Sequence, residues 1–489
     1  MSLRRLIFVV AVLAATSVIP SRAAAAAPQP VVDGNRIVDA LTSKRFVPHG
    51  VNFPGYEYRC QQGWDYGEDG TKPHEVASTV AAIASWKINT VRLPLNQDCW
   101  LGDDGLPSGG LTVAGYRQSV ENFVDALNQV GIVAIIDLHW SGPNGVAADG
   151  LRPMPDNRTA AFWHSVATRF QQNRSVIFDL FNEPHSRWGG NGWTFELKWD
   201  CWAKGGCEAP SEADTAPVSG VLPRYEAAGF RKLTSVVRSV GATQPILLSG
   251  IDWANDLRGW LAHAPADDQL IASFHNYPIQ RCSTGRCWDE EIATVAERVP
   301  VLAAEIGQND CGNPGHVNRF MKWADARLIG YLVWAWWDLP TLGCSNFALI
   351  SDLDGTPLAP VGTAFHAHLA SLPDELPEPA PRAGPGLAIK TARWNGKSLR
   401  LAIRIDSKAS KAVTARVRLV RDPRSKQPPR VKVRLITRRV RSLTGMSWLN
   451  INIPRGLRPT FVTVMYPGDR LLRASTISRK PASVSKVTR

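Results

Sequence analysis

Acidic residues nearly vanish from the last fifth of this 489-residue chain: positions 385–489 hold 3 acids against 26 Lys and Arg, a net +23. The formal total is only +13, so the preceding part carries −10, with 30 bases against 40 acids. An acidic body is thus joined to a basic tail. The tail also lacks cysteine and has few aromatics (Trp394, Trp448, Phe461 and Tyr466), which leaves no flat row for stacking on a crystalline surface. Past residue 27 no apolar run approaches the ~20 residues needed to cross a bilayer. Residues 6–15 do form a short apolar run, preceded by Arg4 and Arg5 and followed by the alanines of 23–27. That is the layout of a secretory signal (1–27) rather than an anchor, so a secreted protein starting near Ala27 is expected.

No two cysteines have the Cys-x-x-Cys spacing of a structural zinc site. The 8 that are present form an even set, which in an exported chain reads as disulfides. Their order is compatible with four local bridges: Cys60 with Cys99, Cys201 with Cys207, Cys282 with Cys287, and Cys311 with Cys344. The first and last would staple loops that follow neighbouring strands.

A Pro-rich linker at 372–386 separates the body (28–371) from the tail (387–489). In the body, β-rich runs at 46–53, 89–94, 133–139, 176–181, 245–249, 270–275, 301–305 and 330–337 alternate with helical stretches at 75–86, 115–129, 160–172, 225–240 and 316–326. This βα repetition predicts a parallel sheet, most economically a closed (β/α)8 barrel. In the tail, period-two runs at 399–405, 413–419, 431–436, 448–453 and 461–465 predict a small antiparallel, sandwich-like domain.

Two glutamates stand at the tips of predicted strands. Glu183 lies in Asn182-Glu183-Pro184 after the fourth, and Glu305 ends the seventh in Glu305-Ile306-Gly307. In a barrel both would rise from the C-terminal face, where such folds carry their active sites. Glycoside cleavage needs such a pair, an acid for the leaving oxygen and an anion opposite the anomeric carbon. Carboxyls ~5–5.5 Å apart retain configuration, and a gap of ~6.5–9.5 Å inverts it.

Over roughly residues 30–370 these motifs resemble glycoside hydrolase family 5, the cellulase-like branch of the retaining clan A barrels. Further matches fall at strand ends in the same order: Arg92 in 89–94, His139 in 136–140, His275 and Tyr277 in 273–278, and an aromatic in 331–338. The resemblance implies a TIM barrel with Glu183 as acid/base and Glu305 as nucleophile. Arg92 and Tyr277 would support Glu305, Asn182 would bond the sugar 2-hydroxyl, and His139 and His275 would orient the sugar or tune Glu183. Trp336 is the expected sugar platform of the eighth strand. Asp98, Asp137 and Asp338 also lie near strand ends, but no catalytic role is assigned to them, because capping or support of neighbouring site residues explains them equally well.

Among 18 tryptophans, Trp64, Trp100, Trp140, Trp188, Trp193 and Trp253 fall in segments that should follow strands on the same face, where indoles can stack on sugars. The long segment 185–224 has no evident family counterpart. The expectation is a secreted, retaining β-glycosidase, endo-β-1,4-glucanase in type, needing no metal or organic cofactor. The alternatives are the same chemistry on β-mannan, β-1,3-glucan or short glycosides, or a catalytically silent carbohydrate-binding protein. The partners expected are a β-glycan and, for the tail, an anionic cell-wall or surface polymer; a monomer without nucleic acid is expected.

Overall fold

The computed structural model describes residues 26–63, 73–214, 223–338 and 343–373. In the C-terminal region it describes 388–395, 397–405, 413–421, 434–440, 445–452, 457–466, 475–479 and 482–483. The signal-like segment before residue 26, Trp64 and all but the first two residues of the 372–386 linker lie outside the described residues.

Eight parallel strands close into a barrel: β1 (His49–Asn52), β2 (Thr90–Asn96), β3 (Val133–Trp140), β4 (Val176–Asp179), β5 (Ile246–Ser249), β6 (Leu270–Asn276), β7 (Val301–Ile306) and β8 (Gly330–Val333). Each corresponds to a predicted run, and β8 pairs with β1 while β4 pairs with β5 to complete the ring. Packing this tightly requires Gly50, where a Cβ would lie 1.7 Å from the Thr90 carbonyl oxygen.

Alternation sorts the lower part of the strands. Ala134, Ile136, Phe178, Leu248 and Ala303 face outward into the layer shared with the helices. Val133, Ile135, Ile177, Leu247, Ile271, Leu302 and Leu332 face inward and fill the lower half of the barrel. Ile37 and Phe46 belong to this inner cluster and come from the chain before β1, which includes a hairpin of Pro30–Asp33 and Arg36–Asp39. Outside, the helix Val113–Gln129 is typical: Tyr116, Val120, Phe123, Val124 and Leu127 form its buried stripe, and the Thr112 side chain caps its first turn.

Residues 225–240 depart from the helical expectation. Arg224–Ala228 pairs antiparallel with Gly205–Pro210, and the helix runs only over Phe230–Ser239. Gly229 makes the junction possible, because a Cβ there would meet the backbone of Lys204 and Gly205 at 2.3 Å.

All four disulfides join the cysteines that their order suggested, with Cα atoms 5.3–6.1 Å apart. The C-terminal region is all β, as expected, in two four-stranded sheets. In the strand Ser398–Ile405, Leu399, Leu401 and Ile403 are buried while Arg400 is exposed. The strand expected at 431–436 is observed over Arg434–Val440, and residues 431–433 lie outside the described residues.

Candidate active site

The apolar filling stops halfway up the barrel, and the same inward positions then become polar. Following Val133 and Ile135 by twos along β3 gives Asp137 and His139; following Ile177 on β4 gives Asp179. The corresponding positions on β1 and β2 are Asn52 and Arg92.

Glu305 breaks this rule. Leu302 and Ala304 already face inward, so simple alternation would send Glu305 outward to the helices. Instead β7 carries one extra residue against both neighbours: Phe274 pairs with Ala303 but His275 with Glu305, and Tyr331 pairs with Ala303 but Val333 with Ile306. This bulge turns Glu305 into the barrel mouth directly after Ala304.

Arg92, fully buried, organises the site. Its Nη1 donates to Glu305 Oε1 at 2.8 Å and to Asn52 Oδ1 at 2.9 Å. Its Nε donates to Asp179 Oδ2 at 2.9 Å, its Nη2 donates to Asn182 Oδ1 at 2.8 Å, and Nη2 also lies 3.1 Å from Asp137 Oδ1. The second Glu305 oxygen accepts from the Tyr277 hydroxyl at 2.7 Å. Both carboxylate oxygens are thereby fixed in orientation.

His275 Nδ1 lies 2.7 Å from Glu183 Oε1, while its Nε2 has no hydrogen-bond partner. An unpaired buried N–H is costlier than an unpaired lone pair, so the ring proton belongs on Nδ1 and is donated to Glu183. His139 Nδ1 is paired with Asp137 Oδ2 at 2.7 Å, and its Nε2 faces the Asn182 amide nitrogen at 3.4 Å. A carboxylate oxygen of Glu183, one of Glu305 and a ring nitrogen of His275 all lie within 4.8 Å of one another.

Burial dominates the electrostatics. It pushes the Glu183 carboxyl up to about 8, against the pull of Arg92 and with added repulsion from Asp214 and Asp137. Burial also lowers His139 and His275 to about 3 each, so both rings are neutral. Asp137 is raised to about 7 and Asp179 well above the usual carboxylate range, both by burial that Arg92 only partly offsets. The Tyr277 phenol is held protonated by burial and by the charge of Glu305.

The structure therefore brings Glu183, Glu305, Arg92, His139, Asn182, His275 and Tyr277 into one cluster. It does not bring Trp336 there. Pairing in β8 ends at Val333, after which alternation no longer governs, and Trp336 is 2% exposed and packs edge-on against Trp86 with ring centroids 4.9 Å apart. Trp334 is the residue at the mouth, its ring stacked on His139 at 5.4 Å. Trp100 is fully buried, Trp140 is partly exposed, and Trp253 stacks on His185 at 3.7 Å. Asn52, Asp137 and Asp179 complete the Arg92 network; the inward alternation of their strands was the available signal for them.

A closed (β/α)8 barrel with a buried arginine and two facing glutamates at its mouth defines a hydrolase-type site of the kind glycosidases use. The family model described as cellulase (glycosyl hydrolase family 5) matches residues 47–339, and the chain belongs to that family. A manganese dependent endoglucanase, Eg5A, from Phanerodontia chrysosporium is 24% identical over 211 residues, 42% of this chain and 44% of that protein. The match therefore spans less than half the length of that relative. Among solved structures, the β-glucanase SdGluc5_26A from Saccharophagus degradans superposes with a TM-score of 0.51 at 22% identity, covering 70% of this chain and 93% of that one. The same enzyme in complex with cellotetraose gives the same values.

Proposed function

We propose that this chain is a secreted, retaining endo-β-1,4-glucanase. The observation that carries the reading is the closeness of the carboxyls: one oxygen of each lies within 4.8 Å of one of the other, which favours the short class, in which no water fits between them. In the first step a Glu305 oxygen attacks the anomeric carbon, the glycosidic C–O bond breaks, and Glu183 gives its proton to the departing oxygen. Because Glu183 Oε1 accepts from His275, that proton sits on Oε2. In the second step water replaces Glu305 at the anomeric carbon while Glu183 takes a proton from it. Asn182, whose Oδ1 is held by Arg92, keeps an amide hydrogen for the sugar 2-hydroxyl.

Cellulose-type glucan as the substrate is supported by the family description and by the endoglucanase relative. Four disulfides fit an oxidising, extracellular compartment. The basic C-terminal region is proposed to hold the enzyme on an anionic cell-wall or surface polymer. Such adhesion should be lost near 1 M salt, where the Debye length falls to about 3 Å.

A reducing-sugar and product-length assay on soluble cellulose, mannan and mixed-linkage glucan, comparing the parent with Glu305→Gln, tests the reading. Glucan turnover that disappears in the variant is the expected result. Faster turnover of mannan would reassign the substrate, and binding without turnover on any polymer or short glycoside would contradict catalysis.

A further inference from the structure

Two tryptophans remain outside the catalytic machinery and outside the core. Trp188 is 52% exposed and Trp193 57% exposed. They face each other across a short hairpin of Arg187–Trp188 and Trp193–Phe195, closed by Gly189, Gly190, Asn191 and Gly192. Their ring centroids are 5.1 Å apart and their planes nearly perpendicular, at 84°. Leaving two indoles half in water forgoes much of their burial energy. An edge-to-face pair stabilises a hairpin, but that alone does not account for a patch this open.

The base of this hairpin is fixed, next to a residue whose charge reaches the active site. Arg187 is 7% exposed and its Nη2 donates to the Ala213 carbonyl at 2.9 Å, next to Asp214, whose charge acts on both Glu183 and His139. The Thr194 hydroxyl donates to the Arg187 carbonyl at 3.1 Å, and Arg224 Nη2 donates to the Thr194 carbonyl at 2.7 Å. Trp188 follows Glu183 by five residues, a chain length that spans at most about 18 Å. The exposed pair therefore belongs to the segment that leaves β4 on the same barrel face as the carboxyls, with the Trp188 backbone no more than about 18 Å from that of Glu183.

We propose that the Trp188/Trp193 hairpin is a distal sugar-binding site, which grips a single β-glycan chain whose scissile bond lies at Glu183 and Glu305. The inference rests on the glycan-hydrolase reading above and adds to it a preference for polymer over short glycoside. β-Linked pyranoses present apolar C–H faces on which an indole can stack. Two perpendicular rings form a corner, one plane for the sugar face and one for its edge. That shape suits one chain and not the flat surface of a crystal.

The test compares the parent, the Trp188→Ala/Trp193→Ala double variant and the Trp188→Phe/Trp193→Phe double variant. The substrates are soluble cellulose and an aryl β-cellobioside, which has only two sugars. The ratio of kcat/KM on polymer to that on the short substrate should fall about tenfold in the alanine variant, mainly through KM, and recover in the phenylalanine variant. A ratio equal to the parent's in the alanine variant, including a case where both activities fall together, would overturn the inference while leaving the functional reading intact. A parent inactive on both substrates would sink the functional reading instead. Retardation in a gel containing soluble cellulose still tests the hairpin in that case: the parent should be slowed and the alanine variant not. Light scattering that finds a dimeric parent and a monomeric alanine variant, with equal retardation, would make the hairpin a self-association surface and contradict the proposal.

Discussion

The lower and upper halves of the barrel are built from the same eight strands and, apart from the bulge at Glu305, under the same alternation, yet they hold opposite contents. Below, Val133, Ile135, Ile177, Leu247, Ile271, Leu302 and Leu332 make a dry apolar filling. Above, Asn52, Arg92, Asp137, His139, Asp179, His275 and Glu305 occupy the continuing positions, each at most 7% exposed. The apolar half is stabilised simply by removal from water. The polar half must be held together by the Arg92 cation, because several carboxyls are buried beside it. One end of the barrel therefore serves folding and the other tolerates electrostatic conflict for the sake of chemistry.

Removing the cation should break this comparison most severely. Arg92→Leu leaves Asp137, Asp179 and Glu305 without their shared partner, so unfolding free energy should drop by about 3–5 kcal/mol and glycan turnover should be lost. Urea unfolding read beside the reducing-sugar assay checks both; retained activity would show that Arg92 does not position Glu305. Leu302→Ala, on the same strand as Glu305 but in the lower half, should lose about 2–5 kcal/mol of stability while kcat of the remaining folded protein stays near the parent's. A matching loss of kcat would mean that the two halves are not separable.

The smallest effect concerns a single proton. The folded-state value for Glu183, about 8, lies above its ordinary 4.5, so its contribution to stability is complete below pH 4.5 and is lost as pH rises to about 8. Glu183→Gln removes that dependence. The variant's melting temperature should gain on the parent's between pH 5 and pH 8, and a difference that is flat with pH would argue that Glu183 ionises freely. The same proton sets the alkaline limb of kcat/KM in the parent, which should fall as pH passes about 8.

Much of this arrangement is legible in the sequence, and the exceptions have physical causes. Strands buried on both faces read as apolar runs, so all eight were visible, with ends differing by a few residues. Arg92, His139 and His275 fall on inward positions of those runs, and the family motifs gave them meaning. Asp137 was equally inward, two residues before His139, but a carboxylate near a strand end is also a common cap, and only its ion pair with Arg92 separates the two uses. Glu305 reaches the site through a bulge that no periodicity reveals, so its place rested on its position at a strand tip and on the family motif. The reverse happened at Trp336: motif alignment pointed to it, whereas the end of β8 at Val333 leaves Trp334 at the mouth and Trp336 in the core. At 225–240, apolar spacing could not show the strand before the helix, since Arg224–Ala228 is held by its pairing with Gly205–Pro210, outside that segment.

The central claim is that Glu305 attacks the sugar while Glu183 supplies the proton. It is tested most directly by proton NMR of the anomeric signal in the first minutes of hydrolysis of a soluble β-1,4-glucan oligosaccharide. Double displacement predicts that the new reducing end appears first as the β anomer and converts to α only by later mutarotation. Initial appearance of the α anomer would require a water between the two carboxyls and would contradict the account.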